Sequence, residues 1–368
     1  MLQYNWQYKD WPKFKYTLAG LDNVLQQIAR NEGKYDGIVS MLPKDLQLDT
    51  VIDLMVIEAI KTSEIEGEFF SRKDVLSSIK NNLGVHAKPY NVHNKNAEGV
   101  SKVMVDVRNT FSKPLTKAKL FEWHKMLLPT AKGIIVGKWR THAEPMQIVS
   151  GALGKQKIHF EAPPSAKVPE EMQQFIEWFN ATSPTGKKPI TNAVVRAAIA
   201  HLYFESIHPF EDGNGRIGRA LAEKALSQGL GKPVLLSISA TIEKNKKLYY
   251  TNLQNAQRHN EITKWIHYFV KMIVDAQAFA EKQINFTLKK VKFMDKYKDT
   301  LTQRQAKAIK RMLEEGATEF VGGMNAAKYG SLNKISKATA TRDLQDLFAL
   351  GVFKMHGAGS STSYALNL

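Results

Sequence analysis

The chain has 368 residues, with 52 Lys and Arg against 35 Asp and Glu, a net charge of +17, and no cysteine. That length accommodates two or three cores, and an apolar share of 43% excludes a disordered chain. The absence of cysteine excludes disulfides, thiolate nucleophiles and Cys-bearing metal sites.

The start, Met1-Leu2-Gln3-Tyr4-Asn5-Trp6, lacks a basic segment followed by an apolar run, and nothing approaches the ~20 apolar residues of a membrane helix. A soluble, cytoplasmic protein without membrane contact is expected. The first twenty residues carry Tyr4, Trp6, Tyr8, Trp11, Phe14 and Tyr16, an aromatic set suited to packing against a fold. Leu21, Leu25 and Ile28 open a helical pattern. A second helix is predicted from about Thr50 to Glu66, stopped by Gly67. Ser71 or Asp74 begins a third, and 84–94 is predicted as a loop. Another helix starts at Leu115-Thr116 and runs to Leu128. Residues 133–162 alternate and are rich in Gly, Ile and Val, which predicts a short β-hairpin through Ile148, Val149, Ser150 and Gly151 and then Lys157–Phe160. Helices follow over 169–179, 191–207, 216–228, 244–257 and 262–290. A boundary is placed at 291–300. Beyond it come helices at 303–315, 326–329 and 336–350, then strands at 352–354 and 363–366, the plan of a winged helix-turn-helix. The expected domains are 1–100, 101–290 and 291–368.

The chemistry concentrates in His208-Pro209-Phe210-Glu211-Asp212-Gly213-Asn214-Gly215-Arg216-Ile217-Gly218-Arg219. An apolar helix delivers His208 to its end and Pro209 stops it. Gly213, Asn214 and Gly215 tolerate positive φ, so successive N–H groups can converge as an anion nest. A new helix adds its N-terminal N–H groups there. Arg216 and Arg219, three apart, share a face and suit phosphate oxygens. Asp212 beside phosphates fits Mg²⁺, and His208 is the segment's neutral-pH proton acceptor.

This run resembles the signature His-Pro-Phe-x-Asp-Gly-Asn-Gly-Arg-x-x-Arg of Fic-domain (Fido) proteins, without departure, and the helical order of 120–257 is similar to theirs. The fold class expected is therefore mainly α: a Fic helical core with a small β-hairpin flap, plus a C-terminal winged helix-turn-helix. The resemblance implies transfer of AMP from ATP to a Tyr, Thr or Ser hydroxyl of a target protein, and of the protein itself. It makes His208 the general base and Asp212 the Mg²⁺ ligand. Gly213, Asn214 and Gly215 become the anion hole, and Arg216 and Arg219 the contacts to the β- and γ-phosphates. Phe210 braces the loop. The flap, Gln147 to Gly151, aligns the target by strand addition, and Tyr249 and Tyr250 lie near the adenine. Gln257 stands where many members have Asn.

Thr62 and Glu66 lie four apart at a helix end before Gly67, and resemble the family's inhibitory motif Ser/Thr-x-x-x-Glu-Gly/Asn. In that reading Glu66 pairs with Arg219 and takes the place of the γ-phosphate. Two rival functions remain: a phosphodiesterase that removes AMP, with Glu66 orienting water, and a DNA-binding regulator whose Fic part senses nucleotide. For the latter, Lys334, Ser336, Lys337, Thr339, Thr341 and Arg342 would face the groove, while Asp343 and Asp346 on the same helix oppose it. A homodimer is expected from the resemblance. The 11 Lys and Arg against 3 Asp and Glu in residues 85–142 have no assigned role.

Overall fold

In the computed structural model, residues 3–85, 89, 91–151, 157–314 and 322–368 are described. The chain divides into two compact units, Met1–Ser40 with Leu54–Ala280, and Met41–Asp53 with Glu281–Leu368. The fold is mainly helical, with two small antiparallel hairpins.

The first helices are α1 (Asp22–Ser40), α2 (Lys44–Ile65), α3 (Arg72–Asn82), α4 (Lys95–Thr110) and α5 (Lys117–Leu127). Helix α2 starts before Thr50, where the apolar spacing begins. Gly67 stops it in a left-handed conformation (φ 84°), and the Glu68 N–H returns to the Ser63 carbonyl at 3.0 Å. Ser71 and Thr116 are the N-caps of α3 and α5, each accepting a backbone N–H three residues on. Helix α4 has no counterpart among the elements predicted from the sequence. Asn94 caps it by accepting the N–H groups of Asn96 and Ala97.

The predicted hairpin forms as β1 (Gln147–Ser150) and β2 (Lys157–Glu161), with a register shift between Ile148 and Val149. Residues 152–156, between the strands, lie outside the described residues. The aromatic N-terminus packs on this region and on the core, as its composition predicts. Tyr4 meets Phe160 edge to face at 5.1 Å, Trp6 Nε1 donates to the Glu161 carbonyl at 2.7 Å, and Trp11 meets Tyr203 at 5.1 Å.

Helix α6 (Val168–Ala181) leads to α7 (Ala193–Ile207) and α8 (Asn214–Leu230). Every α7 residue from Val194 to Ile207 is buried, so α7 is the axis of this unit, and it packs chiefly on α8. The Arg196 guanidinium is buried with it. It donates to the Phe179 carbonyl at 2.7 Å, to Gln228 Oε1 at 2.9 Å and to the Ala225 carbonyl at 3.2 Å, and lies over the Phe179 ring. Burial lowers its pKa to about 10, so it stays charged at neutral pH. The helix predicted over 244–257 forms as α10 (Lys246–Ala256); a short helix with no counterpart in the sequence reading, α9 (Ile238–Lys244), precedes it, and Asn245, whose ψ of 51° is not helical, separates the two. Helix α11 spans Thr263–Tyr297.

The second unit holds α12 (Gln303–Leu313), with a Thr302–Gln305 capping box, then α13 (Ala326–Asn333) and α14 (Lys337–Ala349). Glu315, in the predicted extension of α12, lies outside the described residues. Strands β3 (Phe353–His356) and β4 (Ser363–Leu366) pair antiparallel, and Met324 bridges to Tyr364. Tyr329, Leu344, Leu347 and Val352 are among its buried core. Among the described residues no helix is long and apolar enough to cross a membrane.

Arg196→Ala removes these three hydrogen bonds and a fourth from Nε to Thr182 Oγ1 at 3.2 Å, and strands core carbonyls. It is expected to cost about 3 kcal/mol of unfolding free energy, measured by urea denaturation.

Candidate active site

The site is built where α7 hands over to α8. His208 caps α7 in the left-handed region (φ 49°), uncommon for a residue with a side chain, and its N–H donates to the Phe204 carbonyl at 3.0 Å. Pro209 blocks continuation. The conformation is held by Arg140, a buried residue outside the signature. Arg140 Nε donates to the His208 carbonyl at 2.8 Å, and Nη2 to Pro163 at 2.5 Å and Ile207 at 3.3 Å. Nη1 donates to Ser165 Oγ at 2.8 Å. One guanidinium thus satisfies the terminal carbonyls of α7 and ties the foot of the hairpin to the His208 turn. Burial lowers its pKa to about 10, leaving it cationic at neutral pH.

The turn itself is braced from within. Asn214 Nδ2 donates to the Phe210 carbonyl at 2.8 Å, and its Oδ1 accepts the Phe210 N–H at 3.0 Å. The Asn214 side chain is therefore spent on the loop, leaving its backbone to face a ligand. Phe210 is fully buried and stacks on His124 at 4.0 Å. The Gly137 N–H donates to His124 Nδ1 at 2.8 Å, so that nitrogen bears no proton and Nε2 donates to the Asp212 carbonyl at 3.0 Å. Gly213 is left-handed (φ 82°) and is the N-cap of α8. At Gly215 a Cβ would run into Glu66 Oε1, so this position requires glycine as long as Glu66 is seated there.

Both signature arginines are buried and both meet carboxylates. Arg219 Nη2 donates to Glu66 Oε1 at 2.7 Å and to the Thr62 carbonyl at 3.0 Å, while Nε donates to Thr62 Oγ1 at 2.7 Å. Thr62 and Glu66 thus act on one arginine, as their spacing on a helix allows. Burial works to raise the Glu66 pKa, but Arg219 foremost, then Arg216 and Lys246, pull it below the ordinary carboxylate value. Arg219 is pushed up: burial opposes its charge and Glu66 more than compensates. Lys246 Nζ donates to the Ile65 carbonyl at the end of α2. Arg216 pairs through Nη1 with Glu68, and Nη2 lies 3.5 Å from Asp212 Oδ1.

His208 stands beside these groups, with a side chain 13% exposed. Burial, then Arg140, lowers its pKa to about 4, against the Glu205 carbonyl and the charges of Glu66 and Asp212. It is a neutral imidazole at physiological pH. Its Nδ1 lies 3.8 Å from Glu205 Oε2, beyond hydrogen-bond reach. Burial raises Glu205 to about 8, so this carboxyl is mostly protonated at neutral pH. Tyr249 is buried, its hydroxyl 2.7 Å from His201 Nε2, and Tyr250 packs on its ring at 5.1 Å. Gln257 is buried in the framework, where Nε2 donates to the Glu205 carbonyl at 3.2 Å and its carbonyl accepts the Asn5 N–H. In the hairpin, Val149 and its cross-strand partner Ile158 are exposed, Ser150 Oγ meets His159 Nε2 at 2.5 Å, and Gly151 has φ 103°.

Asp212 is the one carboxylate of the turn aimed outward. One oxygen accepts the Gly213 N–H at 2.5 Å, and the side chain is 56% exposed. Among the described residues no group of three His, Cys, Asp or Glu could hold a metal alone.

Residues 114–226 match the model of the Fic/DOC family, and residues 4–85 match a "Domain of unknown function (DUF4172)". The first of these segments is similar to Fic domains. The turn just described lies inside the matched segment. "Protein adenylyltransferase fic-1" of Caenorhabditis briggsae is 31% identical over 134 residues, covering 36% of this chain and 24% of that protein. "Protein adenylyltransferase Fic" of Nematostella vectensis is 23% identical over 251 residues, covering 67% and 53%. The chain thus spans between a quarter and about half of these relatives. A crystal structure of a Fic family protein from Desulfovibrio desulfuricans G20 aligns with a TM-score of 0.55 at 20% identity, covering 96% of this chain and 98% of that one. At that identity the likeness is one of fold.

Arg140, His124, Glu205 and Glu68 complete the candidate site and are absent from the sequence-derived set. Glu205 had a readable signal, an acid inside an otherwise apolar helix, three residues before His208. Arg140 had none, since it lies between α5 and β1, outside any helix or strand. With ¹⁵N-labelled histidine, His208 and His201 are expected to stay neutral by NMR until about pH 4. Protonation of either near its ordinary value of about 6.5 would contradict the burial argument.

Proposed function

We propose that the protein is a self-inhibited protein adenylyltransferase that moves AMP from ATP to a hydroxyl of a target protein and of itself. The observation that carries the reading is the Glu66–Arg219–Thr62 clamp set against an intact phosphate-binding turn. A buried arginine three residues from a second one, beside a helix N-terminus, is a polyphosphate site, and a carboxylate now fills it. The curated relatives that match this segment are named protein adenylyltransferases, which supports the same chemistry.

His208 is the base. It is neutral at working pH, with Nδ1 facing Glu205 and Nε2 left to take the proton of the acceptor hydroxyl. The acceptor oxygen then bonds to the α-phosphorus, the α–β bridging bond breaks, and pyrophosphate leaves. Arg216, Arg219 and the N–H groups of Gly213, Asn214 and Gly215 balance the phosphate charge. The donor set fits Mg²⁺ held jointly: Asp212 would hold the ion through its outward carboxylate oxygen, together with oxygens of the nucleotide. The ion would supply charge neutralisation at the phosphates. Tyr249 and Tyr250 bound the base side of the site. Strand β1 pairs only with β2 among the described residues, so its outer edge through Ile148, Val149 and Ser150 can add a target strand.

While Glu66 is seated on Arg219 the γ-phosphate lacks its partner, and ATP binds with its α-phosphate out of line. For the C-terminal unit we infer a winged helix-turn-helix. Three helices followed by a two-stranded hairpin, with Met324 bridging to β4, support that plan. Asp343 does not oppose a ligand on α14 there. It is buried, accepting from Arg304 Nε at 3.0 Å and from Tyr329 Oη at 3.0 Å.

Glu66→Gly is expected to raise self-labelling by radiolabelled ATP and Mg²⁺ at least tenfold over the parent protein; equal, weak labelling of both removes the inhibitory role. Adding His208→Ala to that variant is expected to abolish labelling while calorimetry still detects ATP. Labelling that persists would remove His208 as the base.

A further inference from the structure

Glu66 accounts for one of the two signature arginines, and the other is also taken. Arg216 is 4% exposed, and its Nη1 is held by the Glu68 carboxylate. Its Nε is buried with no acceptor among the described residues. An unpartnered N–H on a buried guanidinium marks a place where an acceptor is missing. Glu68 reaches Arg216 because Gly67 turns the chain left-handed after α2 and the Glu68 N–H closes back on the Ser63 carbonyl. The carboxylates on either side of one glycine therefore meet arginines three residues apart on α8. Glu68 is also fixed from outside the site. Its Oε1 accepts from Asn96 Nδ2 at 3.3 Å, and Asn96 Oδ1 accepts from the Thr130 hydroxyl at 2.7 Å. Its side chain is 30% exposed, so a competing anion can reach the pair.

We propose that Glu68 is a specificity-determining residue of the donor site: it occupies Arg216 in place of the β-phosphate, so that Glu66-Gly67-Glu68 mimics the outer two phosphates of a nucleoside triphosphate. The inference rests on the adenylyl-transfer reading, which puts the β-phosphate at Arg216 and the γ-phosphate at Arg219. Each carboxylate then excludes its own phosphate. Glu68 weakens nucleoside di- and triphosphates alike, Glu66 weakens triphosphates alone, and neither affects a monophosphate. Release of Glu66 by itself leaves Arg216 closed, so full donor affinity requires both acids to withdraw.

Calorimetric titration of the full chain with AMP, ADP and ATP tests this. Glu68→Gln keeps the shape and removes the charge. It is expected to bind ADP and ATP about tenfold more tightly, the equivalent of one charge-assisted contact, with AMP unchanged within about twofold. Glu66→Gly is expected to tighten ATP and leave ADP within about twofold. Asn96→Ala, which loosens Glu68 without touching the site, should shift ADP in the direction of Glu68→Gln but less. It carries the test if circular dichroism shows that Glu68→Gln is misfolded. Unchanged or weaker ADP binding in the folded Glu68 variant, or an equal change for AMP, overturns the proposal and leaves adenylyl transfer standing. Failure of every variant to bind any of the three nucleotides overturns both.

Discussion

The buried guanidinium of Arg219 is the constraint on which the site depends. A charge in that position, 2% exposed, is tolerable only with acceptors on its donors. Three are present, and all come from the end of α2: the Thr62 hydroxyl, the Thr62 carbonyl and the Glu66 carboxylate. A triphosphate would supply the same need. On the function proposed above, protein acceptor and nucleotide would compete for one electrostatic role, and self-inhibition would follow from how the arginine is buried. Lys246, on the Ile65 carbonyl, steadies the same helix end through its C-terminal partial charge.

His208 is set by a second buried cation. Arg140 holds the His208 carbonyl and so fixes a left-handed residue that the helix alone would not favour. Its charge also helps burial keep the imidazole neutral. Arg140 thus fixes the position of His208 and, behind burial, contributes to its protonation state. Glu205, mostly protonated close by, adds no full negative charge that would raise the imidazole again.

Much of this was legible from residue order. Gly213, Pro209 and the three-residue spacing of Arg216 and Arg219 are local backbone statements, and the turn follows them. Thr62 and Glu66 lie on one helical face for the same reason, and Gly67 ends the helix as its freedom at positive φ allows. Helix α4 was not legible. Its Gly99, Ser101 and Asp106 blur the apolar period, although Val100, Val103, Met104 and Val107 are buried. The short α9 was not legible either, since seven residues are too few to display an apolar period.

Sequence by itself determined the turn's residues, most of the helices and the presence of a hairpin, because each depends on neighbours a few residues apart. Tertiary structure decided which acids meet which arginines. Glu68 lies 148 residues from Arg216, and Glu66 lies 153 from Arg219. Pairing over such distances is set by how α2 and α8 pack, for which no local pattern exists. The surplus of +17 is the plainest case. Composition suggests an anion, but the cations that serve the site are buried ones, Arg140, Arg216 and Arg219, selected by what surrounds them and not by number.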